Sequence, residues 1–280
     1  MGNNKKVALV LAIAFATWLT LPAMAFAQNY IQVLKFGKID WTNLIVEAVG
    51  EACFPPVTDS EAQARSVAKK AAVAAARANL LKLIKNIPVD SRSKVGDWTE
   101  ASEGKLKRLL WSDKGAEIVN IAFSDQKEVR VIVAVKLSAD LGEILLPPSI
   151  RKISPIVQPS SPPMKKNKEH TGLILDCRGI GFRPCLIPRI VDEHGEEVFG
   201  PVYVSREYVI RKGMVKYVKP PDSRIRKLWL GQRPLTLKAL RVLKDRPTVV
   251  MVTNADAEKI RSDPRNVRLF QKCRVVFLVD

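Results

Sequence analysis

A proline-rich stretch constrains the folding of this chain more than any other feature of its sequence. From Pro147 to His170 the chain reads PPSIRKISPIVQPSSPPMKKNKEH, with six prolines, several serines and lysines, and no sustained apolar period. This composition is typical of a linker, because proline removes a backbone donor and fixes one dihedral angle. The sequence therefore predicts two domains, at residues 28–146 and 171–280, joined by a linker at 147–170.

The first residues predict a secretory signal peptide at 1–27. Lys5 and Lys6 precede an apolar run from Val7 to Leu19, and small residues end at Ala27. The alternative is a retained membrane anchor, but the run is shorter than the roughly 20 residues that a spanning helix needs. We expect cleavage after Ala27 and no transmembrane segment in the mature chain. The expected location is the periplasm or the outside of the cell, with association with the outer membrane as a further option.

The chain is basic, and its charge is unevenly distributed. The formal net charge is +18, of which +2 falls in residues 28–146 and +10 in residues 171–280. From Arg206 to Arg246 there are thirteen Lys or Arg against three acids. Because export separates the protein from chromosomal DNA and cellular RNA, we expect no nucleic-acid partner. The expected partners are an anionic envelope surface or envelope proteins, attracted through the long-range field; a solvated basic face without a specific partner is the alternative.

Ten cations are predicted to form the anionic-surface site. The run RPLTLKALRVLKDR predicts a helix whose leucines face inward and whose Lys238, Arg241 and Lys244 share another face. Tyr208, Tyr217 and Trp229 are interleaved with the cations, a pattern that single-strand nucleic-acid sites also show. The predicted site consists of Arg211, Lys212, Lys216, Lys219, Arg224, Arg226, Lys227, Lys238, Arg241 and Lys244.

The predicted fold class is α+β in both domains. In the first domain, β-prone residues precede a long helix with a Thr58/Glu61 capping box and a second short helix, and a hairpin turns at Gln126-Lys127. This order indicates a helix packed on an antiparallel sheet. The predicted buried stripe of the long helix is Val67, Ala71, Ala74, Ala78, Leu81 and Ile84.

The segments EAQARSVAKKAAVAAARANLLKLI and GAEIVNIAFSDQKEVRVIVAVKLS, together with the export signal, resemble the twenty-kilodalton envelope-lipoprotein family, which includes flagellar accessory proteins of the outer membrane. The resemblance covers residues 28–146. It implies a non-enzymatic component of the outer membrane or of an envelope assembly. This chain lacks the lipidated cysteine of that family and adds a second domain.

The second domain is predicted to hold a mixed sheet with α/β-like connections. Strands are expected at Gly172–Cys177 and Cys185–Val191, and DEHGEEV should turn into a third. PTVVMVTN predicts a buried strand, followed by a helix capped at Thr253 or Asn254 and by a last strand in CRVVFLVD. A strand, helix, strand unit of this length fits a crossover within one sheet.

Chemical motifs are scarce, so no catalytic, cofactor or metal site is predicted. GIGFRP lacks the third glycine and the helix start of a dinucleotide loop. His170, Cys177, Cys185 and His194 lack the short paired spacings of a zinc site. The competing class is an enzyme acting on an envelope polymer, with its site drawn from Asp176, Arg178, Arg183 and Asp256.

The mature chain has four cysteines, an even number in an oxidising compartment. Cys177 and Cys185 flank a short connection between two predicted strands, so a disulfide between them is predicted. Two buried thiols are the alternative, and Cys53 with Cys273 is a less favoured pair. Taken together, the sequence predicts an exported, non-enzymatic binding or scaffolding protein of the cell envelope. A flagellar or secretion-apparatus accessory protein is a further alternative.

Overall fold

The computed structural model describes residues 29–99, 103–112, 115–138, 140–147, 150, 170–219, 226–263 and 265–280. The predicted signal peptide and most of the predicted linker lie outside these residues. The α+β class is confirmed: one antiparallel sheet with helices on it comes from the first half of the chain, and two further sheets come from the second half.

The first half builds a five-stranded antiparallel sheet in the order β1-β2-β3-β5-β4. Nine consecutive residue pairs join β3 to β5, from Ile45 with Lys136 to Cys53 with Glu128, and the predicted hairpin joins β4 to β5. The strands are β1 Ile31–Leu34, β2 Gly37–Asp40, β3 Ile45–Cys53, β4 Glu117–Ser124 and β5 Glu128–Lys136; the helices are α1 Glu61–Lys85, α2 Gly96–Thr99, α3 Glu103–Trp111 and α4 Asp140–Leu145.

Helix α1 packs on β3 and β5, but with a different face from the predicted one. Ser60, not Thr58, caps the helix, because its side chain accepts from the amide of Gln63. Val67 is 45% exposed, and Ala71, Ala74 and Ala78 are exposed too, so the predicted stripe is wrong at these four positions and right at Leu81 and Ile84. Alanines four residues apart, together with the leucines and isoleucine that follow, face the sheet instead. The buried residues are Ala64, Ala68, Ala72, Ala76, Leu80, Leu81, Leu83 and Ile84.

The alanine face lets the helix backbone approach the sheet at Gly50 of β3. A Cβ atom added to Gly50 would lie 2.2 Å from the carbonyl oxygen of Ala72 and 2.2 Å from the amide nitrogen of Ala76. Both contacts are to backbone, which cannot rotate away as a side chain would. The small residues on the two surfaces therefore set the distance between helix and sheet.

We expect Gly50→Ala to destabilise the protein by about 1–3 kcal/mol, the usual cost of overpacking a core. Urea unfolding followed by circular dichroism measures this change. Gly104→Ala is the matched control, because an added Cβ atom at Gly104 in α3 meets nothing within 4 Å. The control should be neutral or stabilising, since alanine favours a helix. Equal stability of the two variants would contradict close helix–sheet packing at Gly50.

The second half builds two four-stranded sheets. The sheet β10-β6-β13-β9 is parallel throughout, and the sheet β11-β12-β7-β8 is mixed. Helices α6 and α7 connect β12 to β13, which lie in different sheets, so the predicted crossover within one sheet is wrong. The strands are β6 Leu173–Asp176, β7 Arg189–Val191, β8 Glu197–Phe199, β9 Lys216–Val218, β10 Leu235–Lys238, β11 Arg241–Leu243, β12 Arg246–Met251 and β13 Val275–Leu278; the helices are α5 Arg206–Lys212, α6 Asn254–Arg261 and α7 Arg265–Gln271, with a π-helical turn at Arg226–Leu230.

The helix predicted in RPLTLKALRVLKDR is wrong, because this segment forms two strands. Leu235–Lys238 is β10 and pairs in parallel with β6, whereas Arg241–Leu243 is β11 and forms a hairpin with β12. Asp245, with φ 61°, allows the chain to turn tightly between β11 and β12. Leucines three residues apart satisfy a helix pattern locally, but Leu240 is 45% exposed. Pairing with strands distant in sequence replaces the local helix.

The two halves share one continuous hydrophobic core around Tyr217. The Tyr217 ring meets Trp41 edge-on with centroids 5.8 Å apart, and its hydroxyl donates to the carbonyl of Cys185 at 2.8 Å. The same hydroxyl accepts from the Cys185 amide, and the hydroxyl of Thr42 donates to the Tyr217 carbonyl at 2.6 Å. Residues from both halves thus meet at one buried side chain.

We expect Tyr217→Phe to destabilise the whole protein by about 1–3 kcal/mol, because it leaves the buried amide and carbonyl of Cys185 without their partner. Thermal unfolding followed by calorimetry measures the loss. Tyr208→Phe serves as the control, since its hydroxyl has no hydrogen bond among the described residues. A loss no larger than that of the control would contradict a structural role for the buried hydroxyl.

Candidate anion-binding site

Two lysines lie over one tryptophan ring where the two halves join, and the charge of a third lysine acts on one of them. The ammonium of Lys216 lies 4.5 Å from the ring centroid of Trp229, and that of Lys212 lies 5.3 Å from it. Burial, and the positive charges of Lys136 and Lys212, lower the pKa of Lys216, which Asp40 opposes. Lys136, Lys212 and Lys216 are called the junction lysine cluster below.

Each residue of this cluster lies at the end of a strand or helix, which defines its position. Lys216 begins β9 and donates its ammonium to the carbonyl of Thr42 at 3.0 Å, whereas Lys212 ends α5. Trp229 is held by a hydrogen bond from its indole nitrogen to the carbonyl of Cys273. Lys136 ends β5 in the other half of the chain. The sequence analysis missed Lys136, because only the tertiary fold brings it towards the predicted cations.

The structure places the other predicted cations differently. Arg211 forms an ion pair with Glu207 at 2.7 Å, and the ammonium of Lys219 lies 5.9 Å from the Tyr30 ring centroid. Arg224 lies outside the described residues. Arg226 and Lys227 belong to the π-helical turn, where the structure describes only their backbone.

Lys238, Arg241 and Lys244 do not form the predicted helix face. Lys238 ends β10 at one edge of the parallel sheet, whereas Lys216 begins β9 at the other edge. Three strand spacings, or about 14 Å, therefore separate these strands. Arg241 lies in the other sheet of this half, and Lys244 in the β11–β12 turn. The predicted single surface is thus divided into separate groups.

The four residues of the enzyme alternative do not converge. Asp176 is held by Arg178, whose hydrogen bond lowers the pKa of the Asp176 carboxyl against the effect of burial. Asp256 pairs with Lys259 at 2.6 Å. Arg183 alone lines a cleft, of about 720 Å³, between the two halves. His194 lies in an exposed turn near Asn254. The enzyme alternative stays a hypothesis.

The part of the chain that the structure describes contains no cluster of three His, Cys, Asp or Glu side chains suited to a metal ion. Within the same residues, no helix combines the length and the apolar character needed to cross a membrane. Helix α1 has 25 residues, but lysines and arginines are distributed along it.

Residues 172–280 match one family model. Its description is the second domain of Treponema pallidum Tp0624. The match covers 109 of the 280 residues and includes all of the sheets of the second half. No curated protein matches the chain. The second half is therefore similar to that treponemal domain, and the resemblance of the first half to the envelope-lipoprotein family stays a prediction.

Three of the four cysteines are buried, and Cys53 is exposed. Burial raises the pKa of Cys185 and of Cys273 to about 12, and it also raises the pKa of Cys177. As thiols these three would react slowly, because the thiolate is the reactive form. All four are thiols in the structure, and the Cys177–Cys185 disulfide stays a prediction.

We expect alkylation of the native protein to modify Cys53 alone. The protein isolated from the envelope, unfolded without reductant, should then show fewer than four free thiols in total, because the predicted bridge consumes two. Mass spectrometry after two-step labelling gives both counts. Cys177→Ser and Cys185→Ser variants serve as controls, since each should release the partner thiol. Four reactive thiols in the unfolded wild type would exclude the bridge.

Proposed function

We propose that this protein is an exported, non-enzymatic binding protein that contacts anionic groups of the cell envelope through the junction lysine cluster. The observation that carries the proposal is that Lys212 and Lys216 lie over the Trp229 ring, with the positive charge of Lys136 acting on Lys216. The predicted signal peptide supports the location, and the resemblance of the first half supports a role in the envelope.

The arrangement of charges favours an anionic partner. Like charges repel, and burial adds to the cost of holding Lys216 protonated, as the direction of its pKa shift indicates. An anion placed among the three ammonium groups would remove this repulsion. Lys216 uses one donor for the Thr42 carbonyl, which leaves two donors for an anion. The Trp229 ring adds an amphipathic surface of the kind found at membrane interfaces.

We expect the double variant Lys136→Gln, Lys212→Gln to bind anionic vesicles about thirtyfold more weakly than the wild type, since each lysine near an anionic surface contributes about 1 kcal/mol. Lys216 is left unchanged because it also joins the two halves. Co-sedimentation with vesicles of equal parts phosphatidylglycerol and phosphatidylethanolamine measures the partition coefficient. Binding of the wild type should also fall as salt is added, because salt screens exposed charges.

The matched control is Lys69→Gln, Lys70→Gln, which removes the same charge from the exposed side of α1. This control should bind nearly as the wild type does. An equal loss in both double variants would show that net charge, rather than the cluster, governs binding. Absence of wild-type binding to anionic vesicles at low salt would contradict the proposal, as would tighter binding of a single-stranded oligonucleotide.

A further inference from the structure

The cleft between the two halves is large enough for a small molecule. Its volume of about 720 Å³ lies within the range of about 300–1,000 Å³ that is usual for such sites. One wall comes from Tyr30 and from the segment between Asn86 and Asp97, and the other from Phe182, Arg183 and the start of β12. Neither wall belongs to the junction lysine cluster.

Backbone hydrogen bonds fix the two walls relative to each other. The amides of Leu186 and Ile187 donate to the carbonyls of Pro88 and Val89, at 3.0 and 2.8 Å. Ser91 and Thr248 share a short hydroxyl hydrogen bond across the junction, and Thr248 is buried. The cleft is therefore formed before any ligand arrives, which lowers the cost of ordering on binding.

The cleft contains two arginines that are not directly paired with an acid. Arg92 and Arg183 are exposed, and neither guanidinium has a hydrogen bond or ion pair among the described residues. The amide of Arg183 is anchored to the Pro247 carbonyl at 2.9 Å, so its position on the wall is defined. A guanidinium presents donors in a planar fork that matches a carboxylate or phosphate group.

One oxygen of each acid that lines the cleft is engaged by the loop itself. One oxygen of Asp90 accepts from the amides of Arg92 and Ser93 and from the Ser93 hydroxyl, at 2.7 to 3.0 Å. Asp97 accepts from the amide of Lys94 at 2.7 Å. These carboxylates shape the loop that carries Arg92. Arg92 and Arg183 are thus charged donors available to a ligand, as is the Lys94 ammonium, whose one hydrogen bond to the Asn86 side chain is 3.5 Å long.

The remaining surface is suited to a ring. Phe182 is held rigid, stacked on Tyr217 at 5.8 Å and edge-on to Phe277 at 5.3 Å, and it lines the cleft together with Tyr30. Pro88, Pro184 and Pro247 add further apolar wall. Flat apolar surfaces beside hydroxyl and amide groups match a sugar ring, which has an apolar C–H face and polar edges.

We propose that this cleft binds an acidic sugar, a pyranose ring carrying a phosphate or carboxylate group. Arg92 and Arg183 hold the oxyanion from opposite walls, and Phe182 and Tyr30 contact the ring. The site is separate from the junction lysine cluster, so the inference does not depend on the proposed function.

Isothermal titration calorimetry of the purified protein tests the inference with three probes: glucose 6-phosphate, glucuronate and glucose. We expect at least one of the two acids to bind, and glucose to bind about tenfold more weakly or not at all, because it leaves the two charged donors unused. Arg92→Gln and Arg183→Gln should each weaken binding of the acid by about tenfold or more. Arg233→Gln is the matched control, since Arg233 is exposed and does not line the cleft.

Each other outcome overturns the inference. Absence of binding by both acids, or equal binding of glucose, would exclude an acidic-sugar site. Inorganic phosphate that binds as tightly as glucose 6-phosphate would show a simple anion site without ring recognition. Unchanged affinity in both cleft variants would place the ligand elsewhere. The variant Lys136→Gln, Lys212→Gln should bind the acid as the wild type does, so failure at the junction lysine cluster and failure at the cleft are distinguishable.

Discussion

The fold depends on how the buried phenol of Tyr217 is satisfied. A buried hydroxyl without a partner costs free energy, and this hydroxyl both donates to and accepts from the backbone of Cys185. Burial raises the pKa of Tyr217 well above its usual value, so the phenol stays neutral and keeps its proton for the Cys185 carbonyl. The hydroxyl of Thr42 donates to the Tyr217 carbonyl, which attaches the first half of the chain at the same point.

Both candidate sites lie beside this residue. Lys216 precedes Tyr217 in β9, and because successive strand residues point to opposite faces, the core position of Tyr217 directs Lys216 away from the core and towards Trp229. Phe182 stacks on the Tyr217 ring and contributes to the wall of the cleft. The packing that joins the two halves therefore also positions the residues of both proposed binding sites.

The ion pairs of the protein show which cations have a structural partner. Arg261 reaches the buried carboxylate of Asp192 at 2.8 Å, and Arg178, Arg211 and Lys259 pair with nearby acids. Such pairs at the surface contribute little to stability, but they cancel charge locally. The excess positive charge of the second half therefore lies on the Lys and Arg side chains that are not paired with an acid. The net charge of the sequence does not distinguish the paired cations from the unpaired ones.

The sequence by itself determined the elements whose signals are local. Helix α1, the β4–β5 hairpin, β12, the Thr253 cap of α6 and β13 follow from periodicity, turn residues and capping, which act over a few residues. Only the tertiary structure decided which face of α1 packs on the sheet, since Gly50 on a distant strand selects the alanine face. It also decided that Leu235–Lys238 forms a strand, because its hydrogen-bonding partner β6 is some sixty residues away in the chain. The approach of Lys136 to Lys216, and of Arg183 to the loop that carries Arg92, has the same cause: contacts between distant segments depend on the packing of the whole core, which no short stretch of sequence encodes.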